Sequence, residues 1–194
     1  VENGNLTTGS FNDVVVTGAT GNINLGAGDD KITTAATYTG TITGGAGSDT
    51  FVINTSNTAT IADLGATDIL QVTGTATVNV VESFTAAATT TNAVTTTTLN
   101  LKDGVNVDMT LATITGATAA SNGYTINTDA AVTKGATIVG SRADDAITGS
   151  KYADKITGGE GADTITADAG ADTIILTESV SAAVLLGLDV QRPH

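Results

Sequence analysis

Four aspartates spaced nine residues apart, Asp145, Asp154, Asp163 and Asp172, are the residues best placed for chemistry in this chain. A fixed period predicts a repeat architecture in which equivalent side chains stack in columns. Stacked carboxylates repel each other unless a cation neutralises them. Carboxylate and backbone carbonyl oxygens suit Ca²⁺, which accepts about six to eight oxygen ligands, whereas zinc, copper and iron prefer softer ligands. The spacing therefore predicts calcium binding.

The element that carries each aspartate is a nine-residue unit, and the four units begin at Gly140, Gly149, Gly158 and Ala167. Each unit is too short for a pair of helices, so we expect a turn followed by a short strand. Glycine at the first places, and at Gly159, suits tight turns or positive φ. The following Asp-x-Ile-x segment alternates as a strand does. Its isoleucines predict an aliphatic column inside a solenoid, namely Ile147, Ile156, Ile165 and Ile174.

A second set of aspartates lies near the start of the chain, at Asp13, Asp30, Asp49 and Asp68, with gaps of 17, 19 and 19 residues. Each precedes an apolar strand, and the stride is that of a full coil of two units. The half-coils between them lack aspartate, so we expect a metal ladder along one edge of an N-terminal roll. In the C-terminal block we expect both edges to carry metal, with Asp145 above Asp163 and Asp154 above Asp172.

Two units, GGAGSDTFV at Gly44–Val52 and GGEGADTIT at Gly158–Thr166, match the pattern G-G-x-G-x-D-x-U-x in full. That pattern is the calcium-binding signature of RTX proteins. The chain thus resembles the RTX (repeats-in-toxin) family of secreted bacterial proteins over residues 8–70 and 140–175. The resemblance implies an all-β fold, a parallel β-roll or β-solenoid. It also implies that calcium ions lie between stacked turns, held by aspartate side chains and turn carbonyls.

The spacing and the resemblance together give the candidate metal-site residues. They are Asp13, Gly26, Gly28, Asp30, Gly45, Gly47, Asp49, Asp68, Asp145, Asp154, Gly159, Gly161, Asp163, Gly170 and Asp172.

Some turns depart from the RTX pattern. Ser141 and Ser150 stand at the second place and Ala143 and Tyr152 at the fourth, while Asp168 takes the second place of the last unit. Because positive φ is costly for residues other than glycine, these turns are expected to adopt a variant shape. The pattern therefore supports their calcium sites less strongly than the one around Asp163 and Asp172.

Four segments are expected: an N-terminal β-roll at 1–75, a Thr/Ala-rich β segment at 76–138, a C-terminal RTX β-roll at 139–178, and an apolar cap or tail at 179–194. Within the second segment, two alternating runs flank Asp103-Gly104, which predicts a β-hairpin. Residues 84–94 are expected to form a loop or a short helix. Asp103, Asp108 and Asp129 are not periodic and are expected to be solvated or turn residues.

Composition excludes several classes of function. A net charge of −13 argues against a nucleic-acid binder, which needs a basic face. No apolar run approaches the ~20 residues of a membrane span. There is no Cys, and the one His, at residue 194, builds neither a zinc site nor a Ser-His-Asp triad. The low aromatic content of 3% suits the thin core of a solenoid. We expect a protein that is not an enzyme.

The functional hypothesis is a calcium-binding structural module of a secreted bacterial surface protein, similar to a surface-layer or adhesin-like protein. Several calcium ions are the expected cofactors, and self-assembly or cell-surface polysaccharide are the candidate partners. One alternative is the C-terminal secretion and folding module of a type I-secreted enzyme, a protease or lipase. Another is a solenoid that binds ice or glycan on its Thr-x-Thr faces, such as Thr39-x-Thr41-x-Thr43.

Overall fold

The computed structural model describes residues 4–92, 97–115, 123–176 and 184–186. All the regular secondary structure within these ranges is β-strand, and neighbouring strands pair in parallel. The strands are β1 Leu6–Thr7, β2 Val14–Val16, β3 Ile23–Ala27, β4 Lys31–Thr33, β5 Thr39–Ala46, β6 Thr50–Ile53, β7 Thr58–Ile61, β8 Ile69–Val72, β9 Ala76–Val80, β10 Phe84–Thr85, β11 Thr91–Asn92, β12 Thr97–Leu101, β13 Val107–Asp108, β14 Thr113–Ile114, β15 Tyr124–Thr128, β16 Thr137–Val139, β17 Ala146–Thr148, β18 Lys155–Thr157, β19 Thr164–Thr166, β20 Thr173–Ile175 and β21 Val184–Leu186.

The stacked coils of the chain form three parallel β-sheets. Sheet A has the order β1-β3-β5-β7-β9-β12-β15-β17-β19-β21, sheet B the order β2-β4-β6-β8-β11-β14, and sheet C the order β10-β13-β16-β18-β20. Successive strands of the chain fall in different sheets, so each coil contributes one strand to each sheet it passes. The chain is therefore a β-solenoid, and the predicted all-β parallel fold is confirmed.

The cross-section of the solenoid changes along its axis. From β1 to β8 the chain alternates between sheets A and B, and from β15 to β21 it alternates between sheets A and C. Between them, the coils β9-β10-β11 and β12-β13-β14 visit all three sheets. Register partners in neighbouring coils are 17 or 19 residues apart in the N-terminal part, 21 to 23 apart between the two middle coils and 18 apart between the nine-residue units of the C-terminal part. The longer middle coils make room for the third strand.

The predicted β-hairpin around Asp103-Gly104 is wrong. Leu99 lies in sheet A beside Val78, while Val107 lies in sheet C beside Phe84. The turn, with Gly104 at φ 74°, is a corner between two sheets. Alternation and an Asp-Gly turn are common to a hairpin and to a solenoid corner, and here each strand finds its partner in the next coil. Residues 84–92 form two short strands and a turn.

Two facing columns of aliphatic side chains form the core. In the C-terminal part, Ile126, Ile147 and Ile165 are register partners in sheet A, and Ile138, Ile156 and Ile174 are partners in sheet C. All of these are buried except Ile174, which is partly buried against the cluster. Burial of each such side chain contributes about 1.5–3 kcal/mol. The predicted aliphatic interior is confirmed, with the isoleucines of successive units alternating between the two columns.

The predicted apolar cap at 179–194 lies outside the described residues, except for the backbone of β21, which pairs with β19.

Candidate metal centre

The four N-terminal aspartates form one column along the edge where the chain passes from sheet A to sheet B. The amide of Asp13 donates to Oδ1 of Asp30 at 2.7 Å, that of Asp30 to Oδ1 of Asp49 at 2.9 Å, and that of Asp49 to Oδ1 of Asp68 at 2.9 Å. The carboxylates of Asp30, Asp49 and Asp68 are thus each tied by one oxygen to the coil before. The four aspartates are therefore neighbours in the structure, as their spacing of one coil predicts.

The C-terminal aspartates form two columns, one at each edge. Before sheet A, the amide of Asp145 donates to Oδ1 of Asp163 at 2.9 Å. Before sheet C, the amide of Asp154 donates to Oδ1 of Asp172 at 3.0 Å. The pairing of Asp145 with Asp163 and of Asp154 with Asp172 is as the nine-residue period predicts. Whether each column holds calcium stays a prediction.

The inner carboxylates of these columns are almost completely buried. The exposed fractions of the six residues lie between 1% and 5%, for Asp30, Asp49, Asp68, Asp145, Asp154 and Asp163. Burial is the main reason why the pKa of Asp49 rises to about 6 and that of Asp145 to about 7. Burial also raises the pKa of Asp68 and Asp163, and neighbouring carboxylates add to the shifts. Ionised carboxylates are therefore unfavourable here without a cation.

The buried aspartates fall into two groups according to whether Oδ2 accepts a hydrogen bond. Oδ2 of Asp30, Asp49 and Asp163 is buried and accepts no hydrogen bond. A buried charged oxygen without a partner is costly, and a hard cation would satisfy it. The residues therefore fit calcium at these three places. Oδ2 of Asp68 instead accepts from the amide of Gly65 at 2.7 Å, and Oδ2 of Asp145 and Asp154 accepts from the amides of Ser141 and Ser150.

All seven candidate glycines have positive φ, namely Gly26, Gly28, Gly45, Gly47, Gly159, Gly161 and Gly170. Their turns stack so closely that a methyl group at Gly45 would overlap the carbonyl oxygen of Gly26 in the preceding coil. Backbone carbonyls therefore lie beside the carboxylate columns, where they can complete the oxygen ligands of a cation.

The first-place glycines serve a different purpose from the one expected. Gly140, Gly149 and Gly158 do not have positive φ. A methyl group at each would instead collide with Oδ2 of the aspartate in the same unit, at 2.6 Å for Gly140 and 2.8 Å for Gly149. Glycine is needed at this place because the carboxylate lies directly over it.

The variant turns differ among themselves. In the described residues, the only non-glycine residues with positive φ are Thr37, Ser56 and Asp168, so Ser141, Ala143, Ser150 and Tyr152 adopt another conformation. The expected variant shape is confirmed for those two turns. Asp168 has φ 65° at the second place of the last unit, consistent with the tolerance of aspartate for this region.

Some carboxylates at these edges are absent from the candidate set. Asp63 accepts from the amides of Gly44 and Gly45 in the preceding coil, at 2.9 and 2.7 Å. Asp29 accepts from the amide of Ser48 at 2.9 Å in the following coil. The period of the sequence could not identify Asp63, because no equivalent aspartate recurs in the other coils and its hydrogen bonds are to amides of a different coil. Asp29 could have been suspected, since it directly precedes a column aspartate.

Of the non-periodic aspartates, Asp103 lies in a turn and Asp129 follows β15 at a partly exposed position, as expected, whereas Asp108 is the last residue of β13. Asp103 accepts from the amide and the hydroxyl of Thr133, both at 2.7 Å, and Asp108 accepts from the amide of Thr110 at 3.0 Å. Asp129 forms an ion pair with Lys102. Hydrogen bonds from Thr133 and Lys102, respectively, lower the pKa of Asp103 and Asp129.

Side chains alone do not form a cation cage. Within the ranges described above, no three His, Cys, Asp or Glu residues converge closely enough to hold a metal ion. A column contributes one aspartate per coil, so most ligands of a calcium ion would be turn carbonyls. This arrangement suits the hard, flexible coordination of calcium.

We expect the stacked turns to be intolerant of a methyl group. Gly45→Ala should lower the free energy of unfolding in calcium by about 1–3 kcal/mol, because φ is 104° and the new Cβ would overlap Gly26. Gly9→Ala is the matched control one coil before Gly26, where nothing lies within 4 Å of the added Cβ. Chemical denaturation of both variants measures the difference; equal stability would refute the close stacking.

The described part of the chain has no helix that is long and apolar enough to cross a membrane. Comparison with protein families identifies four copies of the RTX calcium-binding nonapeptide repeat, at residues 40–52 and 139–174. The chain matches no curated protein and no solved structure. The matched repeats include Asp49, Asp145, Asp154, Asp163 and Asp172.

Proposed function

We propose that this chain, which carries four RTX calcium-binding nonapeptide repeats, is a calcium-stabilised structural module of a secreted bacterial surface protein, similar to a surface-layer protein. Such repeats imply a calcium-binding β-roll module of a secreted protein. The observation that carries the proposal is the set of three buried carboxylate oxygens without a partner, on Asp30, Asp49 and Asp163.

The chain's own residues supply the ligands and the geometry. Asp30, Asp49 and Asp163 would hold calcium through Oδ2, while Oδ1 of each stays tied to the neighbouring coil. The turn carbonyls would supply further oxygens. Bound calcium supplies the positive charge that the buried column lacks. Extracellular calcium modules typically bind at about 10⁻⁴–10⁻³ M, so the roll would become stable only outside the cell.

We propose a structural role and no catalysis. The buried carboxylates of Asp30, Asp49 and Asp163 each accept a hydrogen bond from a backbone amide of the neighbouring coil, so one oxygen of each is committed to the stacking of the solenoid. The aspartates of a column recur once per coil along the edge, and no two of them form a carboxylate pair that differs from the others. A repeated arrangement of this kind suits a scaffold.

One observation favours a second candidate, binding of a glycan or of ice. The outer face of sheet A presents threonines in register, with Thr39, Thr58 and Thr77 in one column. Beside them Thr60, Asn79 and Asn100 form a second column linked by side-chain hydrogen bonds of 3.1 and 3.3 Å. A flat, regular array of hydroxyl and amide groups can match a repeating polar ligand. Glycan-array binding and thermal hysteresis test this candidate.

The surface-layer role predicts assembly driven by calcium. We expect ordered arrays of the purified chain in electron micrographs after calcium is added, and dispersal after a chelator is added. The matched variants are Asp163→Ala, which should impair assembly, and Asp129→Ala, which should not. A chain that binds calcium but stays strictly monomeric in sedimentation experiments would overturn the surface-layer role and leave calcium binding in place.

A further inference from the structure

Two turns of the C-terminal roll close on themselves through a serine. In the first, the amide of Ser141 donates to Oδ2 of Asp145 at 2.6 Å, and its hydroxyl lies 3.1 and 3.0 Å from the two carboxylate oxygens. The same hydroxyl accepts from the amide of Ala143 at 3.2 Å. Ser141 is 1% exposed, so these bonds are shielded from water. The serine thus joins the carboxylate to the turn that surrounds it.

The second turn repeats this geometry on the opposite edge. The amide of Ser150 donates to Oδ2 of Asp154 at 2.5 Å, its hydroxyl lies 3.1 and 3.0 Å from the two oxygens, and it accepts from the amide of Tyr152 at 3.1 Å. Corresponding distances in the two turns agree to within about 0.1 Å. Because the two turns lead into different sheets, their similarity reflects the shared sequence G-S-x-x-x-D rather than a common neighbour.

The remaining oxygen of each carboxylate is also occupied. Oδ1 of Asp145 accepts from the amide of Tyr124 at 2.5 Å, and Oδ1 of Asp154 accepts from the amide of Ala136 at 2.6 Å. Each carboxylate therefore has hydrogen-bond donors on both oxygens. Hydrogen bonds to an ionised carboxylate are among the strongest in proteins.

The unit that matches the RTX pattern in full is different at the same places. Asp163 has one oxygen tied to Asp145, and its buried Oδ2 has no hydrogen-bond partner. Gly159 and Gly161, which stand where the other units have serine and alanine or tyrosine, both have φ 111°. Ser141 and Ser150 lack positive φ, so the backbone of their turns follows another path. Since φ and ψ set the direction of carbonyl groups, these turns present different oxygens to the column.

We propose that Ser141 and Ser150 take the place of a calcium ion, so that the turns of Asp145 and Asp154 close without metal. The C-terminal roll then combines two calcium-independent turns with a calcium-dependent turn at Asp163. This inference rests on the proposed calcium binding of the RTX units. It departs from the repeat pattern, which includes both serine turns among the calcium-binding units.

A gain of binding sites tests the inference. The double variants Ser141→Gly/Ala143→Gly and Ser150→Gly/Tyr152→Gly restore G-G-x-G to the two turns. We expect each to bind one more calcium ion than the unaltered chain, counted by native mass spectrometry and by calorimetric titration. An unchanged count in variants that fold in calcium, or loss of one ion from the unaltered chain on Asp145→Asn substitution, would overturn the inference. If the unaltered chain binds no calcium at all, the proposed function fails instead.

A second pair of variants covers the case in which the glycine variants fail to fold. Ser141→Ala and Ser150→Ala remove the hydroxyl and keep the backbone amide. We expect an unchanged ion count and a fall in the thermal midpoint that is equal at low and high calcium. Ser10→Ala, at an exposed position, is the control and should change neither. A lower ion count, or a fall that grows with calcium concentration, would show that the serines support metal sites and would refute the inference.

Discussion

Removal of calcium at neutral pH should cost the chain most of its stability. Three buried carboxylates have an open oxygen, on Asp30, Asp49 and Asp163. With a Kd of about 10⁻⁴–10⁻³ M, about 10 mM calcium stabilises the folded state by about 1.4–2.7 kcal/mol per site. Three sites would contribute about 4–8 kcal/mol, which is comparable to the ~5–15 kcal/mol net stability of a domain.

Circular dichroism and denaturant unfolding in calcium and in excess chelator measure this effect. We expect a β-rich spectrum in calcium and a largely unfolded chain in chelator. Asp163→Ala should reduce the stabilisation by calcium by about one site, whereas Asp129→Ala, at a partly exposed ion pair away from the aspartate columns, should leave it unchanged. The same spectrum and the same unfolding midpoint with and without calcium would contradict calcium-dependent stability.

Acid should partly replace calcium. Burial raises the pKa of Asp49 to about 6 and that of Asp145 to about 7, from 3.8. A carboxyl group with a raised pKa in the folded state contributes stability that is complete below pH ~3.8 and is lost as the pH rises through the folded value. Without calcium, the folded chain should therefore become less stable between about pH 4 and pH 7.

The size of this effect follows from Asp145 alone. A pKa difference of one corresponds to about 1.4 kcal/mol, so protonation of Asp145 should make the calcium-free chain about 3 kcal/mol more stable at about pH 5 than at about pH 8. Asp49 changes stability in the same direction. The pKa of Asp103 and Asp129 is lowered, so their contribution is lost only at lower pH and does not oppose the trend.

The folded fraction in chelator, followed by circular dichroism at several pH values, and denaturant unfolding at the pH values where the chain is folded test this prediction. In calcium the contribution of Asp49 should reverse, because calcium binds its ionised carboxylate and competes with protons, whereas the contribution of Asp145 should remain. A calcium-free chain that gains stability between about pH 5 and pH 8 would contradict the prediction. Asp145→Asn, which removes the titrating group, should flatten the calcium-free profile and serves as the matched control.

The nine-residue period was sufficient to predict the strands, the aliphatic columns and the pairs of stacked aspartates. In a solenoid, residues one coil apart are neighbours, so sequence spacing translates directly into contact, as between Asp145 and Asp163. The same reasoning predicted the single N-terminal column from the larger stride of Asp30 and Asp49. Spacing was enough because each unit stacks on one like itself.

The middle coils were not predictable in the same way. Alternation around Val78 and Leu99 indicates strands but does not specify the sheet to which each belongs. The third sheet follows from a longer coil and from corners such as that at Gly104, and a corner has the same local sequence as a hairpin turn. The partners of strands in these coils are decided by the neighbouring coils on either side.

The sequence also did not predict which carboxylates have a hydrogen-bond partner for Oδ2. The aspartates of all four C-terminal units occupy the same place, yet Oδ2 is open on Asp163 and bonded on Asp145 and Asp154. The difference comes from the residue at the second place, through its backbone conformation and its hydroxyl. The pattern marks Ser141 and Ser150 as departures, but only the structure shows that their side chains satisfy the acid.

The position of bound calcium tests the central claim most directly. Anomalous diffraction from crystals grown with calcium should locate ions against Oδ2 of Asp30, Asp49 and Asp163, at the ~2.3–2.6 Å typical of calcium–oxygen distances. The turns of Asp145 and Asp154 should remain closed by serine. Crystals with no calcium in any of these turns would contradict calcium binding by the roll.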